Sequence, residues 1–197
     1  LPLNRRFRLL VAAAALMSAA ARAATLAVVD GVPITDADVA AATGGDLAGE
    51  RLRVAVDKLV ERQLILEIAE RKGLAATAEE VNRAAALAAK AYGPNRDTSP
   101  GQFRRHLAEE ITISHYIDLY IYPRIPTDEA TVKAWFVQKA PSFMEKAPRT
   151  RAAREEEYPR YRNEAQYYYV RSEIARILGE EAAAARKSAR VKVYVGG

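Results

Sequence analysis

Three groups of side chains could carry chemistry in this chain. Carboxylates stand side by side at Glu79-Glu80, Glu109-Glu110 and Glu155-Glu156-Glu157, histidines stand at His106 and His115, and all ten tyrosines except Tyr92 lie from Tyr116 onward. Paired carboxylates suit general acid–base work, but here each pair falls at a helix start or on a charged helix face. There its role is to complement the positive end of the helix dipole. The two histidines share one predicted helix at a spacing worth roughly 900° of rotation, so they point to opposite sides and cannot hold a metal together. No G-x-S-x-G, H-E-x-x-H, P-loop or G-x-G-x-x-G pattern occurs, which removes the usual geometry for hydrolase, zincin and nucleotide chemistry. With no cysteine, disulfides, thiolate zinc sites, thiol catalysis and a lipidated N-terminal cysteine are also excluded.

The tyrosines remain. Tyr116, Tyr120 and Tyr122 belong to one predicted helix, and Tyr158, Tyr161 and the run Tyr167-Tyr168-Tyr169 to another. Three consecutive residues fan over about 200° of a helix, so at least one of that run faces solvent. Exposed tyrosine beside Arg160, Arg162 and Arg171 suits contact with extended peptide. The same mixture can stack nucleic-acid bases, a reading that the charge balance below disfavours.

The elements that must position these groups are mostly helical. Thr25–Val29, the turn signal Asp30-Gly31 and Val32–Ile34 predict a strand and hairpin. Thr35 caps a short helix to about Thr43, stopped by Gly44-Gly45. A long helix is predicted over Asp46–Gly73, and the capping box Thr77-Ala-Glu-Glu80 opens an alanine-rich one ending near Tyr92. After a polar loop at Asn95–Pro100, Phe103, Leu107, Ile111, Ile117 and Ile121 predict a helix that Pro123 and Pro126 end. Thr127-Asp-Glu starts a shorter helix carrying Val132, Trp135 and Phe136. Residues 139–154, with Pro141 and Pro148, read as a linker; Glu155–Arg190 reads as a long helix that Pro159 must begin or kink. Val191–Val195 alternates like a strand. A lone strand at each end is unstable, so the simplest solution pairs Val191–Val195 with Leu26–Val29. The fold expectation is a mainly α body with a small sheet made by the N- and C-terminal strands.

Residues 1–23 read as a secretory signal: Arg5, Arg6 and Arg8, an apolar run from Leu9 to Ala21, and Ala21-Arg22-Ala23 as cleavage site. The apolar run is shorter than the roughly 20 residues a membrane anchor needs. Without the signal's four arginines, 26 basic side chains face 25 acidic ones, a net charge of +1. The balance is uneven: residues 24–145 carry 14 basic and 18 acidic side chains, residues 146–197 carry 12 and 7. Such halves suit mutual docking or a basic surface for an acidic partner.

Several segments resemble one family. Ala27-Val-Val-Asp-Gly-Val-Pro-Ile-Thr35 is similar to the entry strand and turn of SurA-like and PrsA-like periplasmic chaperones, usually A-x-V-N-G-x-x-I-T, with Asp30 in place of the usual Asn. Leu64-Ile65-Leu66, Ala69 and Gly73 before Thr77-Ala-Glu-Glu-Val81 resemble the family's long helix and next helix start. Thr127-Asp-Glu-Ala130 resembles the element before its catalytic insert, and Ala189-Arg-Val-Lys-Val193 its closing strand. Enzymatic members carry a parvulin prolyl isomerase module between the two halves, and such a module needs about 50 residues or more. Residues 139–154 cannot contain one, so isomerase catalysis is not carried over.

The resemblance implies a single SurA N-terminal-like chaperone domain over 24–197: a helical part at 24–138, the linker at 139–154, and the long helix and strand at 155–197. It further implies a soluble periplasmic holdase, needing no cofactor or ATP, that binds unfolded exported or outer-membrane polypeptides. Nucleic acid and a membrane span after signal cleavage are not expected. Candidate peptide-contacting residues are Tyr120, Trp135, Phe136, Phe143, Met144 and Tyr168. Core packing is the alternative for Trp135 and Phe136, whereas Phe143 and Met144, in the linker, are expected to be exposed. A second functional reading is a dedicated assembly factor of an envelope or polysaccharide-export machine. The long last helix fits either packing on its own body or exchange into a homodimer.

Overall fold

The computed structural model describes residues 24–45, 47–92, 100–140, 144 and 148–195. The segment 1–23 read as a signal, the loop at 95–99 and Phe143 lie outside the described residues. Strands β1 (Thr25–Val29) and β2 (Val32–Thr35) are followed by helices α1 (Asp36–Thr43), α2 (Gly49–Arg71), α3 (Ala78–Tyr92) and α4 (Pro100–Tyr116). A π-helical turn at Ile117–Ile121 and a 3-10 turn at Tyr122–Arg124 lead to α5 (Glu129–Lys139), α6 (Arg151–Arg186) and β3 (Val191–Val193). The fold is mainly helical with a three-stranded antiparallel sheet in the order β2-β1-β3.

Pairing of the two ends occurs as expected. Val28 lies opposite Lys192 and Val29 opposite Val191, while Asp30 N–H donates to the Arg190 carbonyl at 3.1 Å and Tyr194 N–H to the Leu26 carbonyl at 2.8 Å. Asp30 (φ 47°) and Gly31 (φ 96°) both adopt positive φ, the signature of the type I′ hairpin turn that Asp-Gly favours. Thr35 opens α1 with a reciprocal capping box: its hydroxyl accepts from Asp38 N–H, and the Asp38 carboxylate accepts from Thr35 N–H at 2.8 Å. Thr77 and Glu80 repeat the device at the start of α3.

Two apolar clusters result. One joins Ala27, Val29 and Ile34 of the sheet to Val39 and to Val56, Val60 and Leu64 of α2. The other packs the second half of α2 with Tyr116, Ile121, α5 and α6 around Phe136, Tyr158 and Tyr169. Helix α6 reaches both, because Ile177 lies in the second cluster and Ala185 borders the first.

The last helix departs from its predicted start. It begins at Arg151, with the Thr150 hydroxyl accepting from Ala153 N–H at 3.2 Å, and Pro159 sits inside it on the exposed side. There the Glu155 carbonyl, which loses its helical donor to the proline, faces water. The early start depends on Arg154, which is buried and donates to the carbonyls of Val137 (2.7 Å), Pro148 (2.9 Å) and Arg149 (2.6 Å). A guanidinium at the C-terminal end of α5 meets the negative end of that helix dipole, so carbonyls and dipole compensate its buried charge. Among the described residues of the linker, Met144 packs into the cluster of the α5–α6 seam, which corrects its expected exposure. Its N–H donates to the Ala140 carbonyl at 2.7 Å and its side chain is buried, only 4% exposed.

Two outcomes follow. Deleting residues 191–197 removes one partner of β1 and lowers the melting temperature by many degrees in a calorimetric scan; an unchanged scan contradicts the role of the clasp. Arg154→Met leaves three carbonyls without their donor and costs about 2–3 kcal/mol in urea unfolding, where a neutral result contradicts the anchoring role.

Candidate functional site

Along α4 and beyond, the fully buried positions are Thr112, Tyr116, Ile121 and Ile125. Spacings of 4, 5 and 4 mean that one extra residue enters between Tyr116 and Ile121, and the π turn accommodates it. That extra residue rolls Leu119, Tyr120 and Tyr122 outward, where they are 62%, 39% and 49% exposed. The ledge they form is tied to its surroundings by side-chain contacts. The Tyr120 ring stacks on Tyr116 at 5.6 Å and lies beneath the Lys72 ammonium, 4.2 Å from the ring centroid. Tyr116 hydroxyl donates to Glu181 of α6, and Arg124 pairs with the same carboxylate at 2.5 Å. Burial, followed by the Glu181 hydrogen bond and charge, pushes the Tyr116 phenol well above its ordinary value of 10.0. Burial also raises Tyr158 and Tyr169, with lesser contributions from the Glu129 and Glu173 charges respectively. These three phenols remain neutral hydrogen-bonding groups near neutral pH and supply no base.

A second concavity, about 320 Å³, lies between β2, α1, α2 and α4. Val32 and Leu59 line it together with Asp38, Arg62, Arg105 and Glu109. Its charges are spent on one another. Arg62 bridges Glu109 (2.9 Å) and Glu110 (2.8 Å), while Arg105 lies 3.7 Å from Asp38 and 3.9 Å from Glu109. His106 also borders this cleft, whereas His115 lies between the Leu74 carbonyl and the Glu80 carboxylate, each 3.1 Å away. The histidines therefore serve separate neighbourhoods, as their spacing predicts. Among the described residues no cluster of three His, Asp or Glu side chains forms a metal site.

The candidate peptide-contacting residues do not form one surface. Tyr120 is on the ledge. Phe136 is fully buried between Tyr158 and Tyr161, both at 5.7 Å, which corrects its placement among contact residues: it is the centre of the α5–α6 seam. Trp135 is half-buried and meets Tyr169 edge-on at 6.0 Å, and Tyr168 is half-buried beside Tyr167 at 5.3 Å. Of the three consecutive tyrosines, Tyr169 is buried and Tyr167 is exposed, with Arg171 donating to its hydroxyl at 2.8 Å. Leu119 and Tyr122 were not among the candidates. The gap of six between Ile111 and Ile117 falls in α4, ahead of the π turn, so the expected apolar positions carried no direct signal for them. No protein-family model and no curated protein matches the chain.

Because the folded phenols are held above the unfolded value, their stabilisation is complete below the ordinary tyrosine range and is lost as pH rises through and beyond it. Urea stability measured between pH 8 and 11 falls in the wild type and falls less steeply in Tyr116→Phe. Equal slopes contradict the assignment.

Proposed function

We propose that this chain is an ATP-independent periplasmic holdase that shields unfolded exported or outer-membrane polypeptides and performs no prolyl isomerisation. The observation that carries the reading is the ledge at the π turn, where an aliphatic and two aromatic side chains stand exposed beside the contacts of Tyr116 with Glu181 and of Tyr120 with Lys72. Rigid, exposed aromatic surface gains contact area with a disordered segment at little entropic cost to the chaperone. Weak binding per segment suffices, since a holdase acts by mass action, lowering the free concentration of aggregation-prone chain. The clasped termini and the short α5–α6 connection agree with the chaperone body that the sequence resembles. No described helix is long and apolar enough to cross a membrane.

The small size of the ledge also favours the second reading, a factor serving one partner in an envelope machine. Pull-down from envelope extract separates the two: many unfolded clients support the holdase, one folded protein the dedicated factor.

Mature chain at near-stoichiometric ratio suppresses light scattering by a chemically unfolded outer-membrane protein, with or without ATP. Leu119→Ser with Tyr122→Ser raises the amount needed several-fold while shifting unfolding free energy by no more than about 0.5 kcal/mol per surface change. Phe136→Ala, by contrast, costs about 3–5 kcal/mol. No suppression by the wild type, or full suppression by the double variant, overturns the assignment to the ledge.

A further inference from the structure

The sheet has two edges, and they differ. At the β2 edge, Val29 and Val32 flank the two-residue turn and face each other, so the next residue, Pro33, directs its backbone outward. Proline has no N–H to offer there, and the N–H of Thr35, the next outward position, is taken by Asp38 at 2.8 Å. That edge presents no donor to an incoming strand. At the other edge, the bonds from Asp30 N–H to Arg190 and from Tyr194 N–H to Leu26 set the alternation. Residues 190, 192 and 194 face β1, so Val191, Val193 and Val195 turn their N–H and carbonyl groups away from it. No strand lies beyond β3 among the described residues.

The side chains around this open edge share one sign. Lys187, Arg190 and Lys192 project within six residues of one another, and the Arg190 side chain is 87% exposed with its nearest carboxylate, Asp30, at 3.5 Å. Arg186 is engaged by Asp57 at 3.1 Å, but Lys187 and Lys192 take part in none of the ion pairs among the described residues. The basic excess of residues 146–197 thus gathers in part along a strand edge. Val193 and Tyr194, 40% and 57% exposed, add an apolar side chain on each face of that edge.

We propose that the β3 edge docks an extended polypeptide segment whose acidic side chains alternate with apolar ones, and that this segment joins the sheet as a fourth strand. Main-chain hydrogen bonds to Val191, Val193 and Val195 supply the attachment, and Lys187, Arg190 and Lys192 select the charge. A second copy of this chain is the wrong occupant, because it would bring its own Arg190 and Lys192 against these. The proposal goes beyond the holdase reading and uses none of the ledge residues.

The test follows backbone amide resonances of the full mature chain during titration with a Val/Glu alternating peptide and with its Val/Lys counterpart. The acidic peptide shifts the amides of Val191, Val193 and Val195, and the basic one does not. Val193→Pro removes one outward N–H, as Pro33 does at the other edge, while leaving the bonds of 192 and 194 to β1; it weakens binding at least tenfold. Lys187→Glu with Lys192→Glu, which alters only exposed side chains, does the same and guards against a proline variant that fails to fold. Leu119→Ser with Tyr122→Ser leaves peptide binding unchanged, so failure here and failure of the holdase reading are separately visible. Equal binding of both peptides, wild-type affinity in either edge variant, or shifts confined to other residues overturns the proposal. So does concentration-dependent self-association through the same amides, or binding to anionic phosphatidylglycerol vesicles with no response to either peptide.

Discussion

The structure depends on β1 being the middle strand of its sheet. A two-stranded hairpin is at best marginal in water, and Ala27 and Val29 are fully buried where β2 and β3 flank β1 and where Val39 and α2 cover its face. Since β3 comes from the far end of the chain, α6 must deliver it. At the standard rise its 36 residues extend about 54 Å, enough to run from the α5 seam, past α2, to the sheet. A helix longer than a compact core needs is explained by that distance. It is a strut whose two ends are held by different clusters.

The helices are tied to one another by charge as well as by packing. Arg62 joins α2 to α4, Arg186 joins α6 to α2 through Asp57, and Glu181 joins α6 to the turns after α4 through both Tyr116 and Arg124. No buried side-chain nitrogen or oxygen lacks a hydrogen-bond partner among the described residues. Exposed ion pairs contribute little each, but Arg154 and the Tyr116–Glu181 contact lie where water is largely excluded, and there an unmet partner is costly. These two contacts hold in place the segments that flank the aromatic seam and the ledge.

What could be read in the sequence was what local chemistry determines. Asp30-Gly31 made its turn, Thr35 and Thr77 capped their helices, and the alternation of Val191–Val195 found its partner in β1. The π turn was not legible, because a single added residue in a helix leaves composition and capping unchanged and shows only as a slip in apolar spacing. Neither was the fate of the linker. Pro148 signals irregular backbone, but its carbonyl is held by Arg154, a residue whose type gives no hint that its charge will be buried against carbonyls. Met144 was misjudged for the same reason, and Phe136 took the core-packing alternative: burial there is decided by contacts between elements distant in sequence.

The closing bond between Arg190 and Asp30 spans 160 positions. A chain made from its N-terminus displays the β1–β2 hairpin with one side open until everything through α6 has been made. Local helices form in microseconds or less, but the sheet cannot close in that interval, since its third strand does not yet exist in the same space. Closure of the sheet therefore waits for the arrival of β3. Until then β1 keeps an unsatisfied edge and its apolar cluster lacks the cover of Val191, so the time the sheet takes to close is set by how long β3 takes to follow through α6.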